Sequence, residues 1–138
     1  MTHYRRLGRG DTAVVLAAPH LFDAPPTQAW TDRFLTAAGH HLIFAFDGDT
    51  AVGFVSGVEM THPDKGTEMF LYELGVDEPA RGRGIGRALA QALVELAREL
   101  GCYGAWTGTE HDNERALRTY RGTGASAEPG TTILVWEL

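Results

Sequence analysis

Cysteine is nearly absent from this chain. Cys102 is the only one in 138 residues, which excludes an internal disulfide and any multi-cysteine zinc site. The expected role of Cys102 is that of a small buried hydrophobe. Lysine is as scarce: Lys65 is the only one among 12 basic residues, so a catalytic lysine has one candidate, in an expected loop. No two of the histidines (His3, His20, His40, His41, His62, His111) have the His-x-x-x-His spacing that puts two imidazoles on one helix face, and no metal site is expected. No apolar run approaches the roughly 18 residues of a membrane span. Ala13 to Ala18 is too short for a signal peptide's apolar core and stops at Pro19, so a cytoplasmic protein is expected. Excess positive charge is also lacking. A net charge of −6 argues against a nucleic-acid partner, which needs a basic footprint, and is compatible with a cationic substrate.

What is present fits one ordinary domain over residues 1–138, with 43% apolar residues to fill a core. Residues 3–7 read as a short strand. Asp11-Thr12 reads as a helix start, and Pro25-Pro26 precedes a second helix with Trp30, Phe34 and Leu35 at helical spacing. Two apolar strands, His41 to Phe46 and Ala51 to Val58, flank the turn Asp47-Gly48-Asp49. Thr61 to Gly66 reads as a loop and Met69 to Val76 as a strand.

Gly84 to Leu100 gives the clearest helix, with Ile85, Leu89, Leu93, Leu96 and Leu100 on one stripe and Gly101 as its stop. Cys102 to Thr107 reads as a strand, Asn113 to Arg121 as a short helix and Thr131 to Leu138 as a closing strand. The fold class is α/β (α+β): a single mixed, mostly antiparallel twisted sheet with helices on both faces.

The segment Arg81-Gly82-Arg83-Gly84-Ile85-Gly86-Arg87 lies where a strand gives way to that helix. Glycine lets backbone approach a ligand, and a helix start offers unpaired N–H groups and a positive dipole end, which suit a pyrophosphate. Arg81, Arg83 and Arg87 add charge-assisted donors. A dinucleotide fingerprint needs a small residue three positions after its second glycine. Arg87 or Leu89 stands there, so that pattern fails. A Walker loop needs Gly-Lys-Ser/Thr, and none is present.

The run from Arg81 to Leu89 resembles the acetyl-CoA loop of the GNAT superfamily of N-acetyltransferases. The likeness extends upstream to Leu71–Val76 and downstream to Asn113–Tyr120 and Gly124; Ala125 departs from the phenylalanine usual there. The resemblance implies that backbone groups of Leu74 and Val76 bind the pantetheine arm of acetyl-CoA. It also implies that the backbone N–H groups of Gly84, Gly86 and Arg87 hold the pyrophosphate, with Gly82 and Ile85 as further cofactor-binding positions of the same loop.

Acyl transfer to an amine needs a neutral nucleophile, a stabilised oxyanion and a protonated leaving thiolate. Asn113, Leu117 and Tyr120 share one helical face. Asn113 is a candidate for holding the arm. Tyr120, a phenol of pKa about 10, is a candidate proton donor to the thiolate. Glu73 is the odd residue of an apolar strand, and burial there would raise its pKa and make it the better base. Glu68, at the head of the same strand, competes. In a regular strand residues five apart face opposite sides, so only one of the two should face the substrate unless a bulge intervenes.

Thr67 to Val76 further resembles the aminoglycoside 3-N-acetyltransferases, with Glu73 where an aspartate is usual. Leu21-Phe22-Asp23 resembles an element near that group's N-terminus. A polycationic acceptor would meet carboxylates, for which Asp23, Asp32, Glu59, Asp64 and Glu110 are candidates, Asp23, Asp64 and Glu110 foremost. Other small amines, protein N-termini and a non-catalytic acyl-CoA sensor remain alternatives. Homodimerisation is common in the superfamily, and the apolar Ile133 to Trp136 is the segment expected to serve it.

Overall fold

A computed structural model describes all of residues 1–138. Five strands form one sheet in the order β1 (Thr2–Leu7), β2 (His40–Asp47), β3 (Thr50–His62), β4 (Gly66–Val76) and β5 (Gly104–Trp106). Neighbouring strands are antiparallel except β4 and β5, which run parallel. The helices are α1 (Thr12–Leu16), α2 (Gln28–Thr36), α3 (Ile85–Glu99) and α4 (Glu114–Arg121), with single 3-10 turns at Pro19–Leu21 and Glu78–Ala80.

The alternation of apolar residues along β2 and β3 fills both faces. On one, Phe44, Phe46 and Phe54 pack with Leu7, Val15 and Phe22 beneath α1 and its following loop. On the other, Ile43, Val55, Met69 and Leu71 meet Ile85, Leu89 and Leu93 of α3. Gly57 permits the close approach there, since a Cβ would stand 2.8 Å from Leu93 Cδ1.

The expected helices and the β2–β3 turn are found, the latter with Gly48 at φ 58°. Four expectations change. The Thr61 to Gly66 loop is instead the tip of a hairpin, because β3 runs on to His62 and pairs it with Gly66. Trp30 is exposed and stacks with Arg33 (5.5 Å) while Phe34 and Leu35 pack inward. Leu100 falls past the end of α3 and is exposed. Thr131–Leu138 forms no strand.

Candidate active site

The sheet opens between β4 and β5. Their pairing ends at Phe70 opposite Trp106, yet β4 continues to Val76. Thr107 donates from Oγ1 to Leu71 O (2.8 Å) at the point of divergence. Beyond it, β4 has a neighbour on one side only. The Asp77 N–H donates to Val52 O (2.8 Å). That bond fixes the ladder phase, so Gly75 pairs with Phe54 and the N–H and C=O of Leu74 and Val76 point away from β3 into the opening. Val76 O accepts from Arg81 Nε there (3.0 Å).

The opening leads to the start of α3. Gly82 and Gly84 adopt φ of 79° and 81°, values that side chains other than glycine rarely take. A Cβ at either would meet nothing within 4 Å. No side chain caps α3, and its first intrahelical bond runs from Ala88 N–H to Gly84 O (3.0 Å). The N–H groups of Ile85, Gly86 and Arg87 therefore precede the helical ladder. Gly86 packs toward Val76 and Thr119, while Ile85 is buried in the core.

The loop arginines part company. Arg83 grips Asp47 with two nitrogens (2.6 and 3.1 Å) and donates to Thr2 (2.9 Å). The Arg83 bonds, with one that Thr2 Oγ1 donates to Asp47 (2.7 Å), hold the Asp47 carboxyl down to about 2. Arg83 thus ties the loop to the β1–β2 edge rather than standing free over the glycines. Arg87 lies along Gly122 at the end of α4.

Strand β4 carries a bulge. Ser56 opposes Glu73 and Gly57 opposes Leu71, leaving Tyr72 as the extra residue. The facing argument made for a regular strand is thereby overturned. Ser56, Val58 and Met60 oppose Glu73, Phe70 and Glu68, so the two glutamates share the face occupied by α1 and α2. What separates them is their surroundings.

Glu68 Oε2 accepts from the Tyr103 hydroxyl and lies 2.7 Å from His62 Nε2. The Tyr103 bond, reinforced by His62 and Trp106, lowers its pKa, and Tyr103 is pushed up to about 12 in return. Glu73 has no such partner. Burial, and then the Asp23 charge, raise its pKa, while its N–H donates to Ser56 Oγ (3.2 Å).

Tyr120, on α4, packs against the α3 core, and burial raises its phenol pKa. Thr107, which bonds Leu71 O, lies near enough to act on Tyr120, so Tyr120 stands beside the divergence of β4 and β5. Asn113 caps α4, accepting from Ala116 N–H (3.1 Å), which leaves its amide NH₂ for another partner.

Among the acidic candidates, Asp23 lies near enough to act on Glu73 and Asp64 near enough to act on Tyr103. Glu110 is exposed in the loop before α4, its carbonyl accepting from Asn113 N–H (3.0 Å). Asp32 accepts from Thr12, and Glu59 lies 2.8 Å from His41. No cluster of three or more His, Cys, Asp or Glu side chains capable of holding a metal ion is present, and no helix is long and apolar enough to cross a membrane.

Sequence reasoning allowed for a bulge without placing it at Tyr72, and it missed the Thr107 tie and the aromatic row Tyr72, Phe70 and Trp106, whose successive ring centroids lie 5.8 and 4.4 Å apart. It also missed the trap around Glu68. Pairing residues 61–66 as a hairpin would have brought His62 and Glu68 together.

The chain is a single α/β domain whose fourth strand splays from its parallel neighbour above a glycine-bounded, uncapped helix start. Residues 4–125 match the acetyltransferase (GNAT) family, and the chain belongs to it. It is 33% identical over 102 residues to the N-alpha-acetyltransferase RimI of Mycobacterium tuberculosis (strain ATCC 25618 / H37Rv), covering 74% of this chain and 62% of that one. A mycothiol acetyltransferase of Geodermatophilus obscurus is 32% identical over 133 residues, covering 86% of this chain. The chain spans only 42% of that relative's length. An aminoglycoside acetyltransferase from an uncultured soil metagenomic sample, in complex with sisomicin, has the same fold. It superposes with a TM-score of 0.86 at 18% identity, covering 99% of this chain and 96% of that one.

Proposed function

We propose that the protein is an acetyl-CoA-dependent N-acetyltransferase acting on a primary amine of a small cationic acceptor. The observation that carries this is the opening between β4 and β5, bounded by Glu73 on β4, Tyr120 beside the divergence and the uncapped start of α3 at its end. The outward backbone of Leu74 and Val76 would bind a pantetheine arm as an added strand. The Gly84–Arg87 backbone and Arg81 would hold the pyrophosphate. Arg83 positions that loop through Asp47.

Acetyl-CoA supplies the activated acyl group. Glu73, with its raised pKa, takes the proton of the acceptor ammonium and frees the lone pair. The new N–C bond forms as the C–S bond breaks. The phenol of Tyr120, held protonated, gives its proton to the departing thiolate and is reprotonated by the proton the new amide nitrogen sheds. Glu68, held ionised by Tyr103 and His62, is the weaker base. The exposed ring of Tyr72 and the row behind it, with Asp23 near enough to act on Glu73, suit a cation on an apolar body. An aminoglycoside meets that description. So does a polyamine or a peptide N-terminus beside a basic side chain.

Acetyl-CoA should raise the melting temperature, because a ligand bound only by the folded state stabilises it; NAD and ATP at equal concentration should do far less. Gly86→Asp should abolish the shift by driving a carboxylate between Val76, Leu74 and Thr119, where the opening meets the start of α3. A shift of equal size with NAD sinks the cofactor assignment. Free-thiol release from acetyl-CoA across aminoglycosides, polyamines and peptides then assigns the acceptor. A shift without thiol release for any amine leaves a binding protein, not an enzyme.

A further inference from the structure

Half of the 12 basic residues of this acidic chain lie in two short segments, Arg81–Arg87 and Arg115–Arg121. The fold sets those segments side by side. Thr119 Cγ2 stands 3.8 Å from where a Cβ on Gly86 would be, and Arg87 Nε stands 3.2 Å from where one on Gly122 would be. The last turn of α4 therefore flanks the first turn of α3. Gly122 has an ordinary helical backbone (φ −63°, ψ −18°), so the need for glycine there is one of room: a side chain would block the path of Arg87.

Arg115, Arg118 and Gly122 fall at i, i+3 and i+7, on one flank of α4. That is the flank along which Arg87 runs, and all three arginines are exposed. Other arginines of the chain are occupied, Arg5 by Asp11, Arg83 by Asp47 and Arg98 by Glu95. Arg87, Arg115 and Arg118 form no ion pair, although Glu114 stands one turn before Arg118. Arg87 and Arg115 also lie in the first turns of α3 and α4, where the helix dipole disfavours a cation. Two cations set against their dipoles, converging with a third and left without a carboxylate, form a seat for an anion that the chain itself does not supply.

We propose that Arg87, Arg115 and Arg118 bind a phosphate monoester on the nucleoside of the acyl carrier, the 3′-phosphate that distinguishes CoA from dephospho-CoA. The inference rests on the cofactor reading above. With the pantetheine arm along Leu74 and Val76 and the pyrophosphate at the start of α3, the nucleoside continues past that first turn. The arginine flank of α4 is the cationic surface adjoining it. A phosphate monoester carries a charge of roughly −1.5 to −2 at neutral pH, and its oxygens match guanidinium forks.

Isothermal titration calorimetry of the full chain at low ionic strength should give a Kd about tenfold lower for CoA than for dephospho-CoA. The ratio should narrow as salt screens the contact. The paired substitution Arg87→Gln and Arg118→Gln should raise the CoA Kd to that of dephospho-CoA and leave the latter nearly unchanged. Arg121→Gln removes a charge from another flank of α4 and should preserve the ratio. Equal Kd values for the two ligands in the unsubstituted protein overturn the inference and leave the cofactor reading standing. A preference that survives the paired substitution overturns it by placing the contact elsewhere, and one lost equally in Arg121→Gln overturns it by showing general charge at work. Binding of neither ligand overturns the cofactor reading and this inference with it. Should the paired variant not fold, the single variant Arg115→Gln, at an exposed site, gives the same readout.

Discussion

The two ends of β4 carry the same residue type on the same face and put it to opposite uses. At the hairpin end Glu68 is surrounded by donors: the Tyr103 hydroxyl, His62 and Trp106 hold its negative charge and lower its pKa. At the other end Glu73 is half-buried, its charge faces Asp23, and its pKa is raised. A carboxylate surrounded by donors is a structural anion, whereas one short of donors and near a like charge is a base waiting for a cation. Neither orientation nor residue type tells the two apart.

The largest effects should come from the two groups beside the opening. Glu73→Gln keeps volume and hydrogen bonding while removing the base, and Tyr120→Phe keeps the ring while removing the acid. Each should lower kcat/KM by about 10²–10⁴-fold, with the acetyl-CoA melting shift intact. For the unsubstituted enzyme kcat/KM should climb with pH through a carboxylate pKa above the ordinary glutamate range, since the base works only when ionised. Glu73→Gln should flatten that limb. A limb that survives in Glu73→Gln and vanishes in Glu68→Gln would invert the comparison.

A smaller effect is expected of Glu68→Gln, whose kcat/KM should stay within about threefold, a change of less than 1 kcal/mol in the barrier. A loss comparable with that of Glu73→Gln would mean that the hairpin end takes part in the chemistry.

How much of this was legible in the sequence follows from what each feature depends on. The α3 helix, its stop at Gly101 and the glycine loop before it are local patterns, and they stand at Ile85–Glu99 much as the periodicity requires. The Gly48 turn is equally local. The bulge at Tyr72 belongs to the pairing of two strands, and nothing in the run Phe70 to Val76 announces which residue will be left over. Arg83 reads as a phosphate ligand because it sits among glycines. Its bidentate hold on Asp47 needs a partner 36 positions away that only the folded sheet brings near. Thr131–Leu138 has the composition of a strand, but a strand needs an edge to pair with, and composition does not supply one.

The subtlest difference between the two glutamates lies in how each links stability to pH. Glu68 has a folded pKa below its unfolded one, so its contribution is present above the unfolded value and is lost as pH falls through the folded value. Glu73 has a folded pKa above its unfolded one. Its contribution is complete below the unfolded value and is lost as pH rises through the folded value. Glutamine does not titrate, so each variant cancels its own linkage. The melting temperature of Glu68→Gln, measured relative to the unsubstituted protein, should therefore fall as pH rises from strongly acid to neutral, and that of Glu73→Gln should rise. Both glutamates are open enough to water for the changes to be modest, so the readout is the sign of the trend across a pH series at fixed ionic strength. Two trends of the same sign would mean that the two ends of β4 hold their carboxylates alike, and the assignment of Glu73 as the base would lose its electrostatic ground.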